Sequence, residues 1–221
     1  MDKVVFLDRD GTLNREIQYL YRKEDLEIFP DVPGALRILK QQGYRLVVVT
    51  NQAGVARGYY RESDVEELHR YMNELLKAQG AEIDHFFYCP HHPEHGNGAY
   101  RTVCHCRKPG TGMLEMAERY YDIDKSRSWM IGDKRIDIEC GRNYGVRTAL
   151  VGTGYGAAER ENIRRELGPA APGADEDKKE SIALLPYDLY TDCLQEAAKA
   201  IIRIDQTQPD GPLEEQRMEA L

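Results

Sequence analysis

The 221-residue sequence has no long hydrophobic run, so it offers no candidate for a membrane-spanning helix. The first residues, MDKVVFLDRD, are apolar for only a short stretch before charged residues interrupt them. This pattern predicts neither a signal peptide nor a membrane anchor. We therefore expect a cytoplasmic monomer with no membrane partner, and the length suits one globular domain with a full core.

Basic residues are also scarce relative to acidic ones. The sequence has 30 Lys and Arg against 38 Asp and Glu, which gives a formal net charge of -8. Such a chain has no general positive field with which to hold DNA or an anionic membrane surface. We expect no nucleic-acid partner, and any recognition of phosphate must be local.

Cysteine is infrequent, and its distribution argues against a disulfide framework. Three of the five cysteines, Cys89, Cys104 and Cys106, fall within eighteen residues beside several histidines. Together with His91 they provide three sulfurs and one nitrogen, a set that fits a closed, structural tetrahedral Zn²⁺ site. A disulfide between two of them is the alternative, which a cytosolic chain disfavours. The histidines that compete with His91 are His92, His95 and His105.

The rest of the sequence alternates between short apolar runs and amphipathic stretches. Strands are predicted at 3–7, 45–50, 83–88, 128–131 and 146–151, and helices at 31–43, 63–80, 113–121 and 136–144. The third of these helices is preceded by a Cys- and His-rich loop, and the second begins with the capping-box pattern of Ser63 and Glu66. Alternation of this kind predicts an α/β fold, with a Rossmann-like parallel sheet covered by helices on both faces. In such sheets ligands bind at the carboxyl ends of the strands.

The predicted domain organisation is a core over residues 1–152, with the zinc loop inserted at 89–106. Residues 153–204 form the C-terminal part of the same domain and include a final helix at 190–204. The Pro, Gly and charge content near 168–180 predicts a mobile loop. Residues 205–221 are predicted to form a flexible tail. No motif after residue 152 indicates a role for that stretch.

The motif with the clearest chemistry is Asp8-Arg9-Asp10-Gly11-Thr12, which directly follows the first strand. Phosphoryl transfer needs a nucleophile, a cation for the phosphate oxygens and a proton donor for the leaving oxygen. Asp8 can attack phosphorus as a carboxylate, and Asp10 is placed to exchange the proton. An EF-hand calcium loop is excluded, because Tyr19 stands where the closing glutamate is required. A capping turn is the other interpretation, and it does not explain the polar residues at the other strand ends.

Three further segments complete a pattern with this motif: Thr50, Lys108 and the segment Gly132-Asp133-Lys134-Arg135-Ile136-Asp137. In this order the four motifs resemble those of the haloacid dehalogenase superfamily, over about residues 3–151. The resemblance implies that Asp8 is the nucleophile and Asp10 the general acid and base. It also implies that Thr50 and Lys108 hold the phosphoryl group.

The same resemblance implies a catalytic Mg²⁺ ion. Asp8, Asp133 and a backbone carbonyl at Asp10 would surround this hard cation, with Asp137 behind them. No segment is long enough for the large cap domain that many members of the superfamily carry. The zinc loop would instead form part of the rim of the site.

A closed zinc loop before Arg107 narrows the resemblance to one branch. The strings FLDRDGTLN, VVVTNQAGVARG, YCPHHPE, CHCRKPGTGML and MIGDK resemble those of the D-glycero-D-manno-heptose 1,7-bisphosphate phosphatases and the related histidinol phosphatases. This implies a phosphomonoesterase that removes the 7-phosphate of the heptose through an aspartyl-phosphate, with histidinol phosphate as the alternative small phosphorylated substrate. The residues implied in substrate binding are Glu16, Ile17, Gln18, Tyr19, Asn51, Arg107 and Lys134.

Overall fold

The computed structural model describes residues 1–167 and 186–207. Within them six strands form one parallel sheet in the order β3-β2-β1-β4-β5-β6. The strands are β1 (Val4–Leu7), β2 (Arg45–Asn51), β3 (His85–Cys89), β4 (Trp129–Gly132), β5 (Arg147–Val151) and β6 (Leu189–Thr191). The helices are α1 (Val32–Gln41), α2 (Glu62–Lys77), α3 (Gly112–Ala117), α4 (Arg135–Tyr144), α5 (Gly156–Leu167) and α6 (Leu194–Thr207).

Alternation along β1 sends side chains to two separate cores. Val5 and Leu7 pack on one face with α1, α2 and α6, whereas Val4 and Phe6 pack on the other with α3 and α4. Because both faces are covered, the strands are almost continuously apolar. The predicted parallel sheet with helices on both faces is confirmed.

The ends of the helices follow from a few specific residues. Pro33 lies in the first turn of α1, where its missing N–H costs nothing. The start of α2 differs from the expected Ser63 and Glu66 pair. The helix begins at Glu62, and the carboxylate of Asp64 accepts a hydrogen bond of 2.7 Å from the backbone N–H of Arg61. The capping pair, Arg61 and Asp64, therefore lies two residues before the expected one.

The C-terminal part of the chain holds the main differences from expectation. Helix α5 was not anticipated, because its sequence is polar and only Gly156 and Ile163 of it are buried. The predicted helix at 190–204 begins instead at Leu194, since Tyr190 pairs with Leu150 as part of β6. The loop near 168–180 and most of the tail at 205–221 lie outside the described residues.

Helix α6 closes the core beyond β6. It packs against α1 and buries Leu194, Ala197, Ala198 and Ile201. Its Asp205 accepts hydrogen bonds from Lys3 and Arg127 at 2.7 and 2.8 Å, at the amino-terminal end of the sheet. None of the helices in the described ranges is long and apolar enough to cross a membrane.

Candidate active site

The carboxyl ends of β1 and β2 and the segment before α3 meet at one cleft of about 460 Å³. Asp8 directly follows β1, and Thr50 lies near the end of β2. Lys108 reaches the same place from the loop after β3. Asp8, Asp10, Thr50 and Lys108 all line this cleft, so the structure brings the four predicted catalytic side chains together.

Lys108 is the buried cation at the centre of the cleft. Its Nζ lies 2.7 Å from Asp8 Oδ1 and 2.7 Å from Asp137 Oδ1, and it donates to the carbonyl of Val49 at 2.8 Å. Burial alone would lower the pKa of Lys108, but attraction to Asp137 and Asp8 outweighs it and raises the pKa. The lysine therefore stays charged where a phosphate group would have to bind.

Three carboxylates form a buried cluster beside this lysine. One oxygen each of Asp8, Asp133 and Asp137 lies within 4.8 Å of the others. Burial, and then the negative charge of Asp8, raise the pKa of Asp133 to about 8. Among the described residues, Asp133 Oδ1 is buried and accepts no hydrogen bond, and its nearest cation is Lys134 Nζ at 4.0 Å, whereas Oδ2 accepts a hydrogen bond from the backbone of Tyr155 at 2.9 Å. A buried carboxylate oxygen without a hydrogen bond in an all-oxygen cluster fits a hard divalent cation.

Two glycines make room for Asp133. Gly11 and Gly154 have φ of +89° and +55°, and a Cβ on either would overlap Asp133 Oδ2. Gly11 belongs to the loop after β1, whereas Gly154 comes from the turn after β5. Both glycines are thus required by a close approach as well as by their backbone conformation.

Asp10 lies outside the carboxylate cluster and is held by other donors. It accepts two hydrogen bonds from Arg9, at 3.1 and 2.9 Å, and one each from Asn14 at 3.1 Å and Gln52 at 2.9 Å. Burial acts to raise the pKa of Asp10, but the charge and hydrogen bonds of Arg9 lower it overall. Its side chain is therefore fixed and ionised.

Most of the residues predicted for substrate binding line the same cleft: Glu16, Gln18, Tyr19, Asn51 and Lys134. Ile17 and Arg107 are not among the described lining residues. Ile17 is exposed, and Arg107 Nη1 donates to the carbonyl of His91 at 3.1 Å. The Arg107 guanidinium therefore braces the cysteine-rich loop in this conformation.

Lys134 is held at the mouth of the cleft from two sides. Its Nζ lies 3.0 Å from Glu16 Oε2 and 4.9 Å from the centre of the Tyr155 ring. Attraction to Asp8, Asp133 and Glu16 outweighs burial and raises its pKa.

Gln18 and Tyr19 both have positive φ, 56° and 55°, a conformation uncommon outside glycine.

Six further residues line the cleft that the sequence did not single out: Gln52, Ala53, Tyr60, Ile136, Tyr155 and Glu159. Gln52 Nε2 bridges Asp10 and Thr50, at 2.9 and 2.8 Å, and Gln52 Oε1 accepts from Tyr60. Gln52 directly follows Asn51 in the string TNQAG, so the sequence carried a signal for it. Tyr155 and Glu159 had none, because they lie in the stretch after residue 152.

The four predicted zinc ligands meet at a second place. The sulfurs of Cys89, Cys104 and Cys106 are 3.3–3.4 Å apart, and His91 Nδ1 lies 3.6 Å from Cys89 and 3.5 Å from Cys106. These separations are too long for a disulfide, and the cysteines are free. Three thiols and one imidazole in a group match the preferred donors of tetrahedral Zn²⁺, so this cluster could hold that ion.

The other histidines of the region have different partners. His92 Nδ1 accepts from the backbone N–H groups of Glu94 and His95, at 3.1 and 3.0 Å. His105 Nε2 lies 2.9 Å from the carboxylate of Glu115. Among the described residues, His91 is the histidine that joins the three cysteines.

Comparisons with known proteins agree with this geometry. The family described as HAD-hydrolase-like matches residues 105–172. The fold and the site together define a phosphatase of the haloacid dehalogenase superfamily. Relatives named D-glycero-D-manno-heptose-1,7-bisphosphate 7-phosphatase include one from Chlorobaculum tepidum, 42% identical over 69% of this chain and 80% of the relative. The chain belongs to this phosphatase family.

Other relatives extend the match. The β-heptose enzyme of Haemophilus influenzae is 44% identical over 71% of this chain and 88% of the relative. That of Escherichia coli K12 is 39% identical over 82% and 91%. Among solved structures, the D,D-heptose 1,7-bisphosphate phosphatase of B. bronchiseptica, complexed with magnesium and phosphate, gives a TM-score of 0.72 at 27% identity. The match spans 91% of this chain and 99% of the chain in that structure.

Proposed function

We propose that this phosphatase hydrolyses the 7-phosphate of D-glycero-D-manno-heptose 1,7-bisphosphate. The observation that carries the proposal is the ion pair of Asp8 and Lys108 at the floor of the cleft, 2.7 Å apart and almost completely buried. A carboxylate nucleophile beside a fixed cation is what an in-line attack on a phosphate needs. The names of the relatives supply the sugar.

The reaction then follows from the chain's own side chains. A carboxylate oxygen of Asp8 forms a bond to phosphorus while the bond from phosphorus to the sugar oxygen breaks. Asp10 is ionised in the free protein, so it must take up a proton before the attack; it then gives this proton to the leaving oxygen, and later takes one from the water that hydrolyses the aspartyl-phosphate. Lys108 and Thr50 bind the phosphoryl oxygens throughout.

Two metals are part of the proposal. Asp8, Asp133 and the backbone carbonyl of Asp10 would hold Mg²⁺, which when bound neutralises charge on the phosphate oxygens. The motivation is the buried Oδ1 of Asp133, which accepts no hydrogen bond from the described residues. Cys89, His91, Cys104 and Cys106 would hold a structural Zn²⁺. Because thiolate ligands must stay reduced, we place the protein in the cytoplasm.

The sugar would lie between the segment Glu16–Tyr19 and Lys134. The residues proposed to contact it are Glu16, Ile17, Gln18, Tyr19, Asn51, Arg107 and Lys134. Five of them already face the cleft, and their mix of carboxylate, amide and ammonium groups suits the hydroxyls of a sugar. Ile17 and Arg107 would have to turn toward a bound substrate.

The test is a comparison of phosphate release from heptose 1,7-bisphosphate, in both anomers, and from histidinol phosphate. We expect kcat/KM to favour the heptose, and Asp8→Asn to lower kcat by about 10⁵-fold or more. Asp122→Asn, at an exposed carboxylate far from the cleft, is the matched control. Preference for histidinol phosphate would reject the sugar, and an active Asp8→Asn variant would reject the nucleophile.

A further inference from the structure

Arg9 is a fully buried guanidinium that directly contacts the proposed acid and base. Its Nε and Nη2 donate to the two oxygens of Asp10, at 3.1 and 2.9 Å, and Nη2 also donates to the carbonyl of Leu20 at 3.2 Å. Removing such a charge from water is costly unless every N–H finds a partner. The other terminal nitrogen of the guanidinium, Nη1, therefore also needs a hydrogen-bond acceptor.

That partner is His69 on α2. Nη1 of Arg9 lies 3.1 Å from His69 Nε2, and the imidazole is only 5% exposed. Burial, and then the positive charge of Arg9, lower the pKa of His69 well below its ordinary value. A neutral imidazole has one nitrogen free to accept a hydrogen bond, and here Arg9 donates to it.

The ring of His69 is itself fixed by β3. Phe86 stacks on it at 4.8 Å between centres, and Tyr88 packs edge-on at 5.9 Å. A chain of contacts thus runs from β3 through His69 and Arg9 to Asp10. For stability alone, apolar residues of the same volume would serve at least as well.

We propose that His69 is a positioning residue: it fixes the Arg9 guanidinium, and through it the orientation of the Asp10 carboxylate toward the leaving oxygen. This rests on the proposed acid and base role of Asp10. Gln52 and Asn14 hold Asp10 from the other side. The Arg9 fork is the only one of these contacts that engages both carboxylate oxygens among the described residues.

The test uses two substrates with different leaving groups. The sugar oxygen of heptose bisphosphate needs a proton to leave, whereas the p-nitrophenolate of p-nitrophenyl phosphate does not. We expect His69→Phe to lower kcat/KM about 10- to 100-fold for the sugar, and less than about threefold for the aryl ester. His69→Gln, which keeps an acceptor near Nε2, should restore most of the loss.

Two further variants separate the possible outcomes. Asp10→Asn should show the same selectivity with a larger loss, about 10²- to 10⁴-fold. Met72→Ala, a buried change on the same helix that avoids Arg9, should lower the melting temperature without altering the ratio of the two substrates. An equal loss on both substrates in His69→Phe, or no rescue by glutamine, would overturn the positioning role. Asp8→Asn tested on the aryl ester reports separately on the proposed nucleophile.

Discussion

The active-site cleft and the cysteine-rich loop at 89–106 are built on different principles. The cleft takes its side chains from strand ends and helix starts. Asp8, Thr50, Lys108 and Asp133 are almost fully buried, and Asp8 and Lys108 form an ion pair. The loop has little regular structure, and its Val103 is 87% exposed. The sheet fixes the first region, whereas a bound ion would have to fix the second.

Substitutions in the two regions should therefore have different effects on turnover and on stability. Changes in the cleft should abolish turnover even in variants that still fold, because the side chains of the cleft are the ones proposed to react. Changes in the loop should lower stability first and activity second.

After Asp8→Asn, the largest effect should come from Lys108→Met. It removes the cation between Asp8 and Asp137 and leaves buried carboxylates facing each other. We expect kcat to fall at least about 10³-fold, and the free energy of unfolding by about 3–5 kcal/mol. Phosphate release and urea unfolding measure the two effects. A variant with kcat within tenfold of wild type would show that Lys108 is not needed to hold the phosphoryl group.

Gly154→Ala tests the space around Asp133. A Cβ at this position overlaps the Asp133 carboxylate, and the backbone has positive φ. We expect the Mg²⁺ concentration for half-maximal activity to rise about 10- to 100-fold. Gly43→Ala is the matched control, because Gly43 has φ of +82° with open space around its Cβ. It should cost about 1 kcal/mol of stability and leave the Mg²⁺ dependence alone. Equal Mg²⁺ dependence in both variants would contradict the crowding argument.

Cys104→Ser addresses the loop. We expect the purified protein to lose its zinc, measured by elemental analysis, and the melting temperature to drop by roughly 5–15 °C. Cys193→Ser, outside the cluster, should retain both. A Cys104→Ser protein that still carries stoichiometric zinc would mean that another ligand, such as His92, completes the site.

Asp205→Asn, at the opposite end of the sheet, measures an ion pair where no chemistry takes place. Burial acts to raise the pKa of Asp205, but Arg127 and Lys3 lower it below the ordinary 3.8. A lowered carboxylate pKa means that its stabilisation is present at pH 7 and is lost as pH falls below about 4. We expect the variant to be about 1–2 kcal/mol less stable at pH 7, with the difference shrinking in acid. A difference independent of pH would rule out the ion pair as its cause.

Much of the fold and of the candidate site could be predicted, because the apolar runs that indicate strands end in the polar residues that indicate the site. Apolar runs that end in Asp8, Thr50 and Asp133 indicate both a strand and the edge where ligands bind. The four metal-binding candidates of the loop were likewise recognisable from residue type and spacing. The choice of His91 over its neighbours needed the structure, which gives His92 and His105 other partners.

Other features depend on contacts that sequence spacing does not encode. Tyr155 and Glu159 face the cleft only because α5 starts beside Asp133, and the polar sequence of α5 gave little periodicity. Tyr190 joins a strand because β5 offers a free edge, which overrides the helical pattern around it. The contact between His69 and Arg9 joins residues sixty positions apart, which no local pattern around either residue indicates.

The cleft and the cover of the core are formed by different parts of the chain. Every described residue that lines the cleft precedes α6, and the last of them is Glu159. A polypeptide ending after residue 167 would therefore contain all the described residues that line the cleft. It would leave the apolar side of α1 exposed to water where α6 now covers it. We expect the activity of such a fragment to be lost through aggregation and not through the loss of cleft residues. A separate peptide of residues 186–207, added to the fragment, should cover α1 again and restore solubility.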